Sequence, residues 1–585
     1  MADDRSMAPK SSHTRAGAAR ARLAVVAAAL VLAAASGSMG IWWWSRPQPP
    51  PPNVPADDAD TDAPLVVANP GYVGPQACGE CHAARLADFQ KTRHFRACWP
   101  AEAGPMPPGF TSDAGTYASR YPGFRFEMKQ SDHDFTQTVL RDTPAGPERH
   151  SSRIAFVYGA GGVADEVFFT WKGDRLFELP VAWLHPLKRW AEQPFNPHQP
   201  GDLTRTTTVR CVECHNTWFQ HVPGTENQYR RENAILGVTC EKCHGPGRDH
   251  VTFHRGHPEA KEAHAILHPG RLTRDRLMDV CGQCHSNAIG SRGPAFSYRP
   301  GEPLDAHFRT LLATGIENDH VADQVKYLRQ SKCFQKSDTL TCTTCHNPHR
   351  AAAPDAGQRS CQKCHQAADC REQLQLPAAV RNECVACHMP RYNRVAVLFH
   401  TPDDQYLFPM RPHEHRIAVY PAARQEVLRD WARGQPDEAS RRSADRLTKE
   451  LVEHWLGEGE KLRGQHRFIA AIGAVREALR LDPAASVRAK LNEVVALQAK
   501  IDAGRDAAEH QAGERRFAEA IQALEGVLAL KPDSARAHGK LGTYYAVVGQ
   551  RARAIEHLQA VAPCDPDDPY GHNMLGWLAY LDGDS

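Results

Sequence analysis

The sequence predicts a mainly α-helical protein: a motif-rich segment of short helices and loops with a small antiparallel β insertion, then an α-solenoid, both behind an N-terminal transmembrane helix. Three observations predict it. Seven C-x-x-C-H motifs crowd residues 78–388 with little long apolar periodicity around the later ones, a 34-residue repeat runs through the C-terminal part, and Leu23–Trp44 holds no charged residue.

At 585 residues the chain is too long for one core, so two to four domains are expected. A hydrophobic content of 41% with 24% charged residues is ordinary for globular protein and excludes both wholesale disorder and a polytopic membrane protein. The formal charge of +2 selects no partner, and no basic footprint for nucleic acid is present.

Residues 1–22 are polar and carry Arg15, Arg20 and Arg22, which predicts a cytoplasmic tail. Residues 23–45 are long enough to span a bilayer, and Trp42, Trp43 and Trp44 suit its far interface. A cleaved signal peptide is the rival reading, because Ala33-Ala-Ala35-Ser-Gly supplies small residues. Either way the remainder is expected outside the bacterial inner membrane, in the periplasm. Residues 46–70, with Pro49-Pro-Pro-Pro52 and several aspartates, read as an extended tether.

Of 18 cysteines, fourteen form the seven motifs: Cys78/Cys81/His82, Cys211/Cys214/His215, Cys240/Cys243/His244, Cys281/Cys284/His285, Cys342/Cys345/His346, Cys361/Cys364/His365 and Cys384/Cys387/His388. Two thiols one helical turn apart can add to the two vinyl groups of haem, and the next residue then ligates the iron through imidazole. Structural zinc is the bland alternative, but zinc sites do not demand His directly after the second Cys, and every pair here has it. Seven covalently attached haems c are therefore expected. A thioredoxin-like redox motif fails on the same count.

A low-spin electron carrier needs a second axial ligand on each iron. By position, His94, His250, His349 and His400 are the candidates. His349 lies too near His346 to cap the same haem but can reach a neighbour. His185, His268, His307 and His320 are weaker candidates, and His413 and His415 read as equally open to solvation. Cys98, Cys333, Cys370 and Cys564 belong to no motif; each is read as a buried free thiol, with disulfides permitted by export.

Residues 71–420 are expected to form the haem domain. Its long gap before Cys211 holds Phe124–Met128, Arg153–Tyr158 and Val167–Trp171, rich in β-branched and aromatic residues, which predict a β insertion at about 120–182. Residues 421–448 read as a connector. Over 449–585, Leu541-Gly542 recurs as Leu575-Gly576, Ala520-Ile521 as Ala554-Ile555, Leu524 as Leu558 and Pro532 as Pro566, each 34 residues on. This is tetratricopeptide spacing. An earlier copy, Phe468–Pro483, sits 49 residues upstream and implies an inserted helix.

With the motifs placed, residues 71 to about 420 resemble the multihaem cytochrome c family related to the tetrahaem cytochrome that accepts electrons from hydroxylamine oxidoreductase. The resemblance rests on Tyr72-Val-Gly-Pro-Gln-Ala-Cys78 with Thr92-Arg-His94, on Gly237-Val-Thr-Cys240-Glu-Lys-Cys243-His244-Gly-Pro-Gly, on Leu340-Thr-Cys342-Thr-Thr-Cys345-His346-Asn-Pro-His349 and on Cys384-Val-Ala-Cys387-His388-Met-Pro. It implies largely bis-histidine haems in close-packed pairs. Seven motifs rather than four is a departure, so only the proximal histidines, His94 and His250 are carried over.

Two function classes follow: an electron-transfer protein whose repeats dock a redox partner, or a multihaem oxidoreductase that leaves one haem five-coordinate for a small nitrogen or sulfur compound. Some multihaem enzymes replace the proximal His by Lys at the catalytic haem, and no C-x-x-C-K occurs here. Electron transfer is therefore the favoured reading. Repeats acting alone as a scaffold would leave seven metal centres unexplained.

Overall fold

The aromatic and β-branched run between the first two motifs makes sheet, and the sheet draws in chain from far downstream. The computed structural model describes residues 68–585 except 111–114, 133, 160, 163–164, 194–200, 287–289, 310–322, 354, 392–397, 408–410, 567 and 582–585. The expected cytoplasmic tail, transmembrane segment and nearly all of the tether lie outside the described residues. Among the described residues no helix is long and apolar enough to cross a membrane.

Strands β1 (Cys98–Pro100), β2 (Thr116–Ala118), β3 (Phe124–Ser131), β4 (Asp134–Arg141), β5 (Glu148–Arg153), β6 (Phe156–Tyr158), β7 (Asp165–Lys172), β8 (Arg175–Glu178), β9 (Val181–Leu184), β10 (Arg189–Glu192) and β11 (Arg205–Thr206) lie between the first two motifs. β2–β5 form an antiparallel meander. The others join a nine-stranded sheet that also takes β16 (Phe399–Thr401) and β17 (Asp404–Leu407), in the path β1-β6-β7-β9-β10-β16-β17, with β8 on β7 and β11 on β8. The β region is thus larger than the small insertion expected at 120–182, because a hairpin beyond the last motif pairs onto β10 at Glu192 and His400.

Burial explains why the two sheets stay together. Phe126, Met128, Phe168, Leu179 and Val181 are at most 1% exposed and pack in one cluster with Phe110 and Trp190. Gln137 is buried with them, and its amide bonds both Val181 backbone groups, donating to the carbonyl at 3.0 Å and accepting from N–H at 3.1 Å. A buried polar side chain is stable there because both its groups are satisfied.

The motif segment is built of short pieces: α1 (Pro75–Phe89), α2 (Val209–His215), the ribbon β12 (Asn216–His221) and β13 (Tyr229–Leu236), α3 (Cys240–His244), α4 (Arg248–Gly256), α5 (Arg274–His285), the small pair β14 (Gly290–Ser291) and β15 (Phe308–Arg309), α6 (Cys342–Cys345), α7 (Ala356–Cys361) and α8 (Cys384–His388).

Long helices follow. They are α9 (Pro421–Arg433), α10 (Glu438–Gly464), α11 (Phe468–Leu481), α12 (Ala485–Gly513), α13 (Phe517–Leu530), α14 (Ala535–Val547), α15 (Arg551–Gln559) and α16 (Tyr570–Leu581). The segment read as a connector, 421–448, is itself helical, with α10 packed along α11. The 49-residue interval adds no extra helix. It is taken up by α12, which has 29 residues where its counterpart α14 has 13. The repeat positions do form the core: Ala520, Leu524, Leu541, Tyr545, Ala554 and Leu558 are at most 2% exposed. Gly542 is required there, since a Cβ would stand 2.5 Å from Leu558.

The motif segment and the helical array belong to one unit, Pro64–Ser585. The β16–β17 hairpin seats Leu398 and Tyr406 in the array core. Tyr406 donates to Asp502 at 2.6 Å, Arg411 binds buried Glu477 at 2.7 Å, and Arg476 binds Asp404.

Candidate haem-binding site

Each motif sits in or at the end of a short helix, and in six of the seven both cysteines, three residues apart, are helical and share one face. In α2, α3, α5 and α8 the histidine is the last helical residue. In α1 the chain leaves helical geometry at His82, where φ is −114° and ψ 39°. All 18 cysteines are free of disulfides, and of the four outside the motifs Cys98 is buried while Cys333, Cys370 and Cys564 are half-buried.

Burial is uneven among the fourteen cysteines expected to attach haem. Eleven are half-buried, whereas Cys81, Cys345 and Cys364 are exposed. At Cys81 and Cys364 the exposure follows from where the chain carries them. Cys81 lies on α1 within a run, 80–85, that is exposed throughout, and its neighbour Glu80 pairs with Arg255 at the surface at 2.7 Å. Cys364 is not helical at all. α7 ends at Cys361, and Cys364 follows on a turn whose N–H donates to the Cys361 carbonyl at 3.2 Å, in a stretch, 362–369, that is also exposed. At these two positions protein packing adds nothing to the attachment reading, which rests on the order of Cys, Cys and His alone.

Elsewhere the motifs pack against one another. Cys214 Sγ lies 3.8 Å from the Gln283 carbonyl oxygen and Cys284 Sγ 3.7 Å from that of Cys214, joining the second motif to the fourth, and Cys342 Sγ of the fifth motif lies 3.7 Å from Met278 Sδ on α5, the helix of the fourth. Lys363 Nζ donates to the Thr344 carbonyl at 2.8 Å, and Gln358 Nε2 reaches Cys384 Sγ at 3.6 Å, which carries the contacts through the sixth motif to the seventh.

Glu241, between the cysteines of the third motif, is the clip for the first. Its carboxylate accepts from the backbone N–H of Val73 (2.9 Å), Gly74 (2.8 Å) and Gly247 (2.8 Å). Burial raises its pKa, and those three N–H groups oppose the rise. Gly237 performs a similar service for His94. Its φ is +73°, and a Cβ would stand 2.4 Å from the Phe95 carbonyl oxygen. Only glycine allows β13 to end so close that Val238 N–H donates to the His94 carbonyl at 3.0 Å.

Three histidine pairs stand close together. The rings of His94 and His285 have centroids 6.1 Å apart, those of His244 and His349 6.0 Å, and those of His346 and His415 6.2 Å. Two imidazoles bound at about 2 Å on opposite sides of one metal hold their centroids roughly 6 Å apart. The other ring nitrogen is committed where it should be: Nδ1 of His244 donates to the Leu267 carbonyl at 2.8 Å, and Nδ1 of His415 to the His413 carbonyl at 3.0 Å. That bond orients the ring and leaves Nε2 for a metal. His388 and His215 make the same bond, to Ala418 at 2.8 Å and Ala97 at 3.3 Å. Burial, with nearby His94 and His415, holds His285 down at about 4, so its ring is neutral.

Each pair crosses between motifs. His94 follows the first and faces the fourth, His349 follows the fifth and faces the third, and His415 follows the seventh and faces the fifth. His94 and His349 are brought together with motif histidines as their positions suggested. His250 lies within electrostatic reach of His244, but its ring packs edge-on to His254 at 4.6 Å. His400 lies in the nine-stranded sheet, its ring 6.0 Å from Tyr406. His185 bonds Glu166 and His307 bonds Glu302, each at 2.8 Å. His415, which its position beyond the last motif left equally open to solvation, is the residue brought to the fifth motif. The second motif differs in kind, because Tyr158 stacks flat on His215, 4.6 Å between centroids and 4° between planes.

Residues 188–245 match the sequence profile of the family described as cytochrome c554 and c-prime, and residues 511–578 match that of the tetratricopeptide repeat. The chain joins a multihaem c-type cytochrome to tetratricopeptide repeats. It is similar to the dissimilatory sulfite reductase MccA of Wolinella succinogenes, 21% identical over 54% of this chain and 50% of that protein. It is also similar to cytochrome c-554 of Nitrosomonas europaea, 33% identical over 17% of this chain and 45% of that protein. The chain therefore spans about half the length of these curated relatives. The solved structure of MamA from Desulfovibrio magneticus RS-1 is 21% identical over 28% of this chain and 89% of that one, at a TM-score of 0.14 that carries no argument.

Proposed function

We propose that the protein is an exported seven-haem electron carrier, anchored by its N-terminal segment, whose repeats dock a redox partner. The observation that carries it is the trio of histidine pairs at the separation of two ligands on one iron. Haem c, attached through the fourteen motif cysteines, supplies a one-electron ferric/ferrous couple at each motif. The chain's residues do the rest. His82, His215, His244, His285, His346, His365 and His388 would hold one face of each iron, and His94, His349 and His415 the opposite face of three. Cys284 Sγ lies 3.7 Å from the Cys214 carbonyl oxygen and Cys214 Sγ 3.8 Å from that of Gln283, so the second and fourth attachment points touch, which favours a continuous path over isolated centres.

A second reading is favoured by the similarity to a sulfite reductase over 400 residues: an oxidoreductase acting on a small sulfur or nitrogen compound at a haem with one open face. The second motif, with Tyr158 against His215, is the place to look.

Electron paramagnetic resonance of the oxidised protein, with haem counted by pyridine haemochrome, separates the two. The carrier gives seven low-spin haems indifferent to nitrite, hydroxylamine or sulfite; a stoichiometric high-spin signal that shifts on addition makes it an enzyme. His415→Ala is expected to convert one low-spin haem to high-spin without loss of haem, and an unchanged spectrum would remove His415 as a ligand.

A further inference from the structure

The helix pair α14–α15 brings two histidines of different helices together, outside every attachment motif. His538 lies on α14 and His557 on α15, and their Nδ1 atoms are 3.0 Å apart. Both side chains are half-buried. Neither belongs to a C-x-x-C-H motif or to the three histidine pairs, so electron transfer gives them no task.

The hydrogen positions follow from the partners. Nε2 of His538 stands 3.0 Å from the Pro532 carbonyl oxygen. A carbonyl only accepts, so that nitrogen carries the hydrogen, and in the neutral ring Nδ1 is left as a lone pair. Nδ1 of His557 then supplies the one hydrogen between the rings. The ring of His557 is also fixed by stacking on Tyr545, with 5.5 Å between centroids and 7° between planes. The Tyr545 hydroxyl is held in turn by Glu525 at 2.5 Å and by Arg553 at 3.2 Å. Two carboxylates, Glu525 and Glu556, act on His557 against one guanidinium, that of Arg553, which favours a cation at the pair.

Two nitrogens bound to one ion at about 2.1 Å, at angles from a right angle to the tetrahedral one, lie roughly 3.0–3.4 Å apart. The observed 3.0 Å meets the lower end of that range. A hydrogen bond from the far ring nitrogen to a carbonyl, as His538 makes, is what fixes the tautomer and orientation of a metal-binding histidine. We propose that His538 and His557 bind a divalent transition-metal ion of the zinc, nickel and copper class through their Nδ1 atoms, joining α14 to α15. Imidazole suits those ions. On binding, the hydrogen between the rings passes to Nε2 of His557, so no proton is gained or lost. No third His, Cys, Asp or Glu completes the set among the described residues. Water therefore takes the remaining positions, and the ion exchanges.

The test uses the haem-loaded full chain dialysed against zinc chloride, chosen because zinc has no redox chemistry and leaves the haem oxidation state alone. Bound zinc is counted against haem iron by elemental mass spectrometry. His538→Gln and His557→Gln are each expected to bind one zinc fewer per chain than the parent, with unchanged helix content by circular dichroism. A measurement on the parent alone covers the case in which a variant does not fold: zinc should shield both histidines from carbethoxylation by diethylpyrocarbonate, mapped by peptide mass spectrometry. Equal zinc in the parent and both folded variants, or equal carbethoxylation with and without zinc, would overturn the proposal and leave the pair as a hydrogen bond only. Neither readout depends on the haem spin state, so the electron-carrier reading can fail without this one.

Discussion

The helical array and the motif segment share one chain but are stabilised by different means. The array has a continuous core of its own: Leu462, Phe468, Ile472, Leu491, Ile501, Leu524, Leu541 and Leu558 are all buried in one cluster. Around the third to seventh motifs the buried side chains fall into small groups, Met278, Val325, Leu328 and Phe334 in one and Tyr298, Leu304 and Phe308 in another. Short helices with so little apolar surface between them do not hold themselves. The array is thus held by its own side chains, whereas the motif segment has far less apolar packing of its own.

The largest expected effect comes from withholding haem attachment during expression. Residues 240–390 should then be open to proteolysis while 438–581 survive as protected helix, by the logic that makes cofactor binding part of folding energy. Limited proteolysis with mass spectrometry reads it directly. A protected motif segment in the haem-free chain would break the comparison.

A cavity in the array sharpens it from the other side. Leu541 is fully buried, and Leu541→Ala should cost about 2–5 kcal/mol. Thermal melting followed by circular dichroism should shift down, with the haem spectrum of the folded protein unchanged. A disturbed spectrum would mean that the two regions share one core.

Legibility in the sequence follows the same division. The array was readable because its core positions recur every 34 residues, and the chemistry forced Cys, Cys and His into fixed order at each attachment motif. That order says nothing of how far each thiol is enclosed, so the exposure of Cys81 and Cys364 came from the structure alone. What could not be read otherwise depended on chain brought from afar. β16 and β17 join strands some two hundred residues earlier in the chain, so His400, which follows the last motif, is carried into the nine-stranded sheet. His415 faces the fifth motif only because the chain beyond the seventh turns back to it, with Ala418 accepting from His388. No local pattern marks either event. The lengthened α12 was missed for a related reason: a spacing shows that residues were added, not whether they extend a helix or make a new one.

The smallest effect tests the hairpin that joins the two regions. Asp403, at its turn, binds Arg189 of β10 at 2.7 Å. That bond first, and the Thr401 hydroxyl second, hold its pKa down at about 2 against an ordinary 3.8. The folded state therefore favours the ionised carboxylate, and its contribution is present above about pH 4 and lost as pH falls through about 2. Both side chains are largely exposed, 39% for Arg189 and 68% for Asp403, so solvent limits the contribution to at most about 1 kcal/mol. Urea unfolding of the haem-loaded parent and of Asp403→Asn should show the parent more stable at pH 5, with the gap narrowing towards pH 2.5. Other acid effects act on both proteins and cancel in the difference. A gap that does not change with pH would mean that the hairpin is held to the array by Tyr406 and Arg411 and to the sheet by backbone pairing alone.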